Sequence, residues 1–252
     1  MLSAERKLKI AEIVSKNGGI KTSDLSSMFN VSEMTVLRDL AVLEEQGILK
    51  RVYGGALVVR DKSHEISSIV REKIHSYEKS IIAEKAIGLV EEGDCIFLDG
   101  STTTLSVAKK LLYKKDITVI TNSLDIMIEI RKNPEIKLIG LGGELQSITM
   151  NFLGPSTEIS LRNLYADKAF VSPAGISLKG GITVENPMQG LIKKIMIENS
   201  VQSILLADSS KFGRITLNKV CSFDEIKMII TDKKPSSEYI NIFNSNNIKL
   251  IY

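Results

Sequence analysis

From Ala4 to Lys16 the apolar residues Leu8, Ile10, Ala11, Ile13 and Val14 recur at helical spacing. The "NGG" at 17–19 predicts a stop, because glycine enters left-handed turns without steric cost. A second short helix fits "SDLSSMF", with Ser23 placed to cap its exposed N–H groups. After the tight turn "NVS", Ser32 is placed to cap a third helix, "EMTVLRDLAVLEEQ", which Gly47 ends. On that helix Val36, Leu40 and Leu43 share one face and predict packing against the first two helices, whereas Met34, Thr35 and Arg38 point elsewhere near its start. "ILKRV", the turn "YGG" and "ALVV" then predict a β-hairpin. Residues 1–59 therefore read as a winged helix-turn-helix, with a plain helical bundle carrying a hairpin as the alternative.

Residues 60–76, "RDKSHEISSIVREKIHS", are polar and mixed in charge and read as a linker with some helical character. From 77 to 252 helical and strand patterns alternate. The predicted strands are "CIFLD", "ITVIT", "IKLIGL", "KAFVS", "SILLAD", "KMIIT" and "IKLIY". Helices fit 77–91, "LSVAKKLL", "SLDIMIEIR" and the regions near 155–164, 187–199 and 236–245. Such alternation, with β-rich runs this short, indicates an α/β domain built on a mainly parallel sheet. The expected architecture is thus α/β overall, a small winged helix-turn-helix followed by a larger α/β domain.

Composition refines this picture only slightly. The chain has 252 residues, 43% of them hydrophobic, and a net charge of +3, so nucleic-acid binding must be argued from pattern rather than from bulk charge. Residues 1–60 carry 9 Lys or Arg against 7 Asp or Glu, a mild excess. Cys95 and Cys221 lie far apart among apolar neighbours, which predicts buried reduced thiols rather than a CxxC metal or redox site. His64 and His75 have no Cys or carboxylate at metal-ligand spacing, so no metal and no cofactor are expected. The charged start "MLSAERKLKIAEIV" lacks a secretory apolar core, and no apolar run approaches a membrane span. A cytoplasmic protein with no membrane partner is expected.

A helix beginning at Ser32 can enter the major groove with its N-terminal residues first. Ser32, Met34, Thr35 and Arg38 are therefore candidate contacts to double-stranded DNA, Arg38 to a guanine edge or a phosphate and Thr35 to a phosphate or a thymine methyl. Lys50, Arg51 and Tyr53 on the wing can meet the neighbouring backbone or minor groove. Pairing of Arg38 with Asp39 or Glu45 on a solvated face is the competing assignment.

In the second domain, "DGSTTT" places Asp99, Gly100, Ser101, Thr102 and Thr103 between a strand and a helix. Free backbone N–H groups, hydroxyls and the positive helix end can surround an anion there. No Lys follows in the arrangement of a Walker A loop, and the glycine pattern is not a dinucleotide fingerprint. Taken alone, the loop also reads as an ordinary polar turn. Other strand ends carry Thr121, Asn122 and Ser123, then Gly142 and Gly143, Gly175, and Asp208 with Lys211. In an open parallel sheet, ligands bind at the carboxyl ends of the strands, and this collection of groups suits a phosphorylated sugar.

The stretch "LSSMFNVSEMTVLRDLAVLEEQGILKRVYGGA" resembles the N-terminal signature of the DeoR family of bacterial transcriptional repressors, with its V-S-x-x-T-hydrophobic-R-R-D-L helix and G-G-A wing. Leu37 stands where that family usually has the first of two arginines, which moves electrostatic grip onto Arg38 and the wing. "EKSIIAEKA", "DGSTTT", "TNS", "GGEL", "FLGP", "DKAFVS", "IKKIM" and "LLADSSKFG" follow in the order of the family's sensor domain. The resemblance implies a fold similar to sugar-phosphate isomerases and the sensing of phosphorylated sugars or related metabolites. It places effector contacts on Asp99 to Thr103, Asn122, Gly143, Gly175, Lys193, Asp208 and Lys211. Gln189 and Leu191 replace acidic residues common before the lysine matching Lys193, and "SPAG" replaces the commoner turn before Gly175.

The leading expectation is a repressor, homo-oligomeric on its operator, whose DNA binding is modulated by a phosphorylated sugar. One alternative is a sugar-phosphate isomerase or deaminase with a DNA-binding appendage, in which Asp99, Asp208 or Glu185 would do acid–base work. Another is a DNA-binding protein whose α/β half serves only to oligomerise.

Overall fold

A computed structural model describes residues 2–45, 48–58 and 68–252, which divide into one unit ending at Ile74 and a second beginning at His75. In the first unit α1 (Ser3–Asn17) ends at Gly18, whose φ of 77° is the left-handed stop expected of "NGG". Next come β1 (Gly19–Lys21), α2 (Thr22–Phe29), α3 (Glu33–Glu45), β2 (Leu49–Val52), β3 (Gly55–Val58) and α4 (Ser68–Lys73). The core joins Ile10, Ala11 and Val14 of α1 to Leu25 of α2 and to Val36, Leu40 and Leu43 of α3, closed by Leu49 and Ala56 of the hairpin. The predicted buried face of α3 is therefore the real one.

Two local readings need correction. Ser23 does not cap α2: the helix starts one residue earlier, with Lys21 at the cap position and no side-chain cap. Thr22 is buried there and donates its N–H to the Gly54 carbonyl at 2.9 Å, so a tertiary contact sets the helix start. The wing is also a three-stranded sheet, not a bare hairpin, because β1 pairs antiparallel with β3 in the order β1-β3-β2. Gly47 as helix stop, residues 60–67 of the expected linker and His64 lie outside the described residues.

The second unit runs α5 (Ser76–Ile87), β4 (Cys95–Leu98), α6 (Thr102–Leu111), β5 (Ile117–Thr121), α7 (Leu124–Ile130), β6 (Ile136–Gly140), β7 (Glu144–Gln146), β8 (Asn151–Leu153) and α8 (Pro155–Arg162). It continues with β9 (Ala166–Val171), β10 (Gly175–Ser177), β11 (Gly181–Val184), α9 (Pro187–Glu198), β12 (Ser200–Leu206), β13 (Asn218–Cys221), β14 (Met228–Ile230), α10 (Ser237–Ser245) and β15 (Lys249–Ile251). A seven-stranded sheet has the order β15-β14-β12-β9-β4-β5-β6, and every neighbouring pair in it is parallel.

Its central strands are buried on both faces, and successive residues alternate between two cores. Ile96 and Leu98 face a core with Ile82, Ala86, Leu105, Leu111 and Ile126 from α5, α6 and α7. Phe97 faces the other, with Leu161, Ile195, Met196 and Phe243 from α8, α9 and α10. Helices thus cover both sides. The pairs β7–β8 and the small antiparallel sheet β10-β11-β13 were not expected from the pattern. Gly175 opens β10 of that small sheet, rather than lying in a loop after a strand. Both cysteines are free, Cys221 buried and Cys95 only half-buried; burial pushes the Cys221 thiol up to about 12.

Candidate functional site

In the first unit, the start of α3 is built by Ser32. Its Oγ accepts the Thr35 N–H at 3.3 Å and shares a 2.9 Å hydrogen bond with the Thr35 hydroxyl. With Val36 and Leu40 held in the core, the helix turns Met34, Leu37 and Arg38 outward, and Thr35 is half-buried beside them. Asp39 does not pair with Arg38. It is buried and accepts from Arg6 Nε at 2.6 Å and from Ser3 Oγ at 3.3 Å. Arg38 carries no hydrogen bond or ion pair among the described residues, so its guanidinium is available to a ligand.

On the wing, Lys50 and Tyr53 are exposed, Tyr53 at the very tip of the hairpin. Arg51 is engaged already: its Nε meets Glu44 Oε2 at 2.6 Å and its backbone N–H meets Oε1 at 2.8 Å. Those two bonds hold the Glu44 carboxyl below its ordinary value. The pair ties the hairpin to the last turn of α3, so Arg51 offers less free charge than Lys50 or Arg38.

The order of the large sheet places the second candidate site. From β4 the chain winds one way through β5 and β6 and the other way through β9, β12, β14 and β15. The reversal lies between β4 and β9, and a crevice opens at such a switch point beyond the strands' carboxyl ends. "DGSTTT" sits there. Ser101 caps α6 in a reciprocal capping box with Thr104, whose N–H it accepts at 3.2 Å. The N–H groups of Gly100 and Thr103 find no acceptor among the described residues, which leaves donors at the positive end of the helix.

Asp99 itself is fully buried and occupied. Its Oδ1 accepts the Ser101 N–H at 3.1 Å and the Thr104 hydroxyl at 2.8 Å. Its Oδ2 accepts the Ser172 N–H at 2.7 Å from the end of β9, and also the ammonium of Lys193 from α9. Asp99 and Lys193 therefore form one buried ion pair that locks β4, β9 and α9 together beneath the loop. Both carboxylate oxygens are thus engaged inside the protein.

Asn122 follows β5 and donates from Nδ2 to the Phe152 carbonyl at 2.9 Å. Asn151, which sequence reasoning missed, donates from Nδ2 to the Gly100 carbonyl at 2.9 Å. It packs so closely that a Cβ on Gly100 would lie 2.0 Å from its Oδ1. Asp208 follows β12; its Oδ1 accepts from the Ser210 hydroxyl and, at 3.0 Å, the Ser210 N–H, while Lys211 Nζ lies 4.0 Å from Oδ2. Burial works to raise the Asp208 carboxyl, but Lys211, the Ser210 hydrogen bonds and His75 together hold it below its ordinary value.

Two expected positions are closely packed. A Cβ on Gly143 would lie 2.1 Å from Thr157 Oγ1, and one on Gly175 would lie 2.5 Å from the Arg214 carbonyl. Both glycines admit a neighbouring chain segment. Asp99, Gly100, Ser101, Thr103, Lys193 and Ser172 are joined by direct contacts, with Asn122 and Asn151 on the adjoining segment. Among the described residues no cluster of His, Cys, Asp or Glu suits a metal ion, and no helix is long and apolar enough to cross a membrane.

Comparison with known proteins matches both units. Residues 6–62 fit the DeoR-like helix-turn-helix domain and residues 74–233 the DeoR C terminal sensor domain. An HTH-type transcriptional regulator of Bacillus subtilis, YulB, is 39% identical over 250 residues, covering 99% of this chain and 96% of its own. The HTH-type transcriptional repressor GlcR of the same organism is 34% identical over 253 residues, covering 100% and 96%. The putative aga operon transcriptional repressor of Escherichia coli O157:H7 is 31% identical over 233 residues, covering 92% and 87%. Among solved structures, a D-ribose-5-phosphate isomerase in complex with phospho-erythronic acid superposes with a TM-score of 0.41 and 17% identity, over 54% of either chain. That last likeness is too slight to say anything of activity. The relatives that match nearly end to end are regulators, so the enzyme alternative gives way, and the chain belongs to the DeoR family of transcriptional regulators.

Proposed function

We propose that this regulator is a repressor whose hold on double-stranded operator DNA is set by a phosphorylated sugar bound at the carboxyl rim of the seven-stranded sheet. The observation that carries the reading is the N-terminal turn of α6, with N–H donors at the switch point between β4 and β9 and Lys211 on a neighbouring strand end. A helix N-terminus with open donors binds phosphate without further machinery. On the DNA side, support comes from the outward Arg38, Met34 and Thr35 of α3 and from Lys50 and Tyr53 of the wing. The repressor names of two of the relatives point the same way.

A thermal-shift screen of phosphorylated sugars tests it, followed by fluorescence anisotropy on DNA from the protein's own promoter. A sugar phosphate at about 100 times its Kd should add about 2.7 kcal/mol of stability. The same compound should change operator affinity, since an effector acts only by binding the two states unequally. A panel in which no phosphorylated sugar raises Tm overturns the reading.

The reading also makes the regulator a homo-oligomer that sets two winged helices on repeated half-sites. One small module with so little net charge makes few phosphate contacts, and a second linked module raises affinity without any new contact. Light scattering is expected to give at least a dimer, free and on DNA; a monomer in both conditions removes this part.

A further inference from the structure

The clamp between α3 and the wing joins the two parts of the DNA-reading surface. In the order β1-β3-β2, the strand β2 has one strand partner among the described residues, β3, on one edge only. Glu44, one residue before the end of α3, closes the other edge. Its Oε1 accepts the Arg51 N–H at 2.8 Å while its Oε2 accepts from Arg51 Nε at 2.6 Å. Leu40 and Leu43 beside it are buried in the core, so the carboxylate projects from a fixed helix. On the strand, Arg51 follows Lys50 and stands two positions before Tyr53, both exposed. One carboxylate thus binds side chain and backbone of the same wing residue, which fixes where β2 lies against α3. Arg51, with a smaller contribution from Lys50, holds the Glu44 carboxyl below its ordinary value and so keeps it ionised.

Both side chains are partly exposed, Glu44 at 34% and Arg51 at 45%, and an exposed ion pair adds little to stability. The consequences of this one are geometric and electrostatic. A cation that already holds a carboxylate presents little net charge to a phosphate, and loosening the pair would free a positive charge in a unit whose excess is mild. Such a charge would act on any sequence, because phosphate contacts carry no sequence information. We propose that Glu44 is a specificity-determining positioning residue, which withholds Arg51 from the phosphate backbone and sets the wing at the angle to α3 that the operator requires. Arg51 is then a strut of the wing, and Lys50 and Tyr53 are the groups it aims. A silenced charge of this kind raises discrimination by weakening the wrong complexes. The inference rests on the DNA-reading face proposed above and is independent of the sugar.

Full-length wild type, Glu44→Ala, Arg51→Ala and the double variant are compared by fluorescence anisotropy on a fragment of the protein's own promoter and on random DNA, between about 50 and 200 mM salt. Glu44→Ala should hold random DNA more tightly than wild type does. Its slope of log K against log salt should steepen by about 0.9, the mark of one added phosphate contact, so that this advantage shrinks about 3-fold across the salt range. Its preference for the promoter should fall by about 3-fold or more, because the loosened wing brings no matching gain there. Arg51→Ala should lose preference as well, yet keep the wild-type slope on random DNA. The double variant should lose no more preference than either single one, since the two side chains act as a unit. Circular dichroism checks that each variant folds, as loss of an exposed pair allows.

Glu44→Ala with the slope and preference of wild type overturns the proposal. So does Arg51→Ala with a slope shallower by about 0.9, which would put Arg51 on a phosphate in the wild-type complex. A Glu44→Ala protein that is unfolded, or that weakens promoter and random DNA alike, would make the pair a brace for the fold and overturns it too. The DNA-face reading survives all three results. A wild type without preference for the promoter takes down that reading and this inference together.

Discussion

Asp99→Ala is expected to cost the sensor unit about 3–5 kcal/mol, the range for breaking a buried ion pair by removing one partner. Lys193 would be left as a buried cation, with its side chain 8% exposed and no carboxylate. The Ser172 and Ser101 N–H groups and the Thr104 hydroxyl would lose an acceptor at the same time. For a unit of this size each kcal/mol corresponds to a Tm shift of about 2–4 °C, so scanning calorimetry should resolve the loss easily. Asp99→Leu combined with Lys193→Met should recover much of it, because an apolar pair of similar volume does not need solvation. Equal stability of wild type and Asp99→Ala would mean that the pair is not what holds β4, β9 and α9 together.

Arg38→Ala is expected to cut the preference for operator over random DNA by about 1–3 kcal/mol, roughly 5- to 150-fold, with thermal stability unchanged. The side chain is exposed and carries no intramolecular bond among the described residues, so its loss leaves no buried group unpaired. Competition binding at one fixed salt concentration measures the ratio. A fall in affinity that is equal for both DNAs would assign Arg38 to the phosphate backbone. No change on either DNA would take it out of the interface.

Much of this arrangement is legible in the chain, and the parts that are not share a cause. The buried face of α3, the Ser32 cap and the parallel strands with their helices follow from short-range periodicity and from residues three apart. The elements missed are strands of three or four residues, too short to display an alternation of their own. β1 is such a case: Gly19 pairs with Leu57, and three residues cannot display a period. Thr22 starts α2 in place of Ser23 because the Gly54 carbonyl reaches it from the wing, a contact that no local pattern encodes.

The site shows the same division. "DGSTTT" is readable as a strand, turn and helix cap, and Asn122 as a strand-end polar group. That Asp99 is consumed by Lys193 is not readable, because its partner is 94 positions away and reached attention only through family resemblance. Asn151 lies just before "FLGP", at a position that no local pattern singles out; only the fold lays it against Gly100. Gly143 and Gly175 stood out as candidate contacts by their strand-end positions and by family resemblance; the pieces of chain that fill the space where a Cβ would stand are visible only in the fold.

The switch-point geometry also bears on the order in which the protein acquires its parts. The loop at 99–104 is completed by bonds from residues 51, 73 and 94 positions away, none of which a nascent fragment could supply. Contacts of such long sequence separation form late, because the entropy of closing the intervening chain must be overcome first. The loop is therefore complete only when β9 and α9 have docked beside β4. A metabolite that recognises this rim selects finished molecules alone, and in doing so shifts the folding equilibrium of the whole unit toward completion.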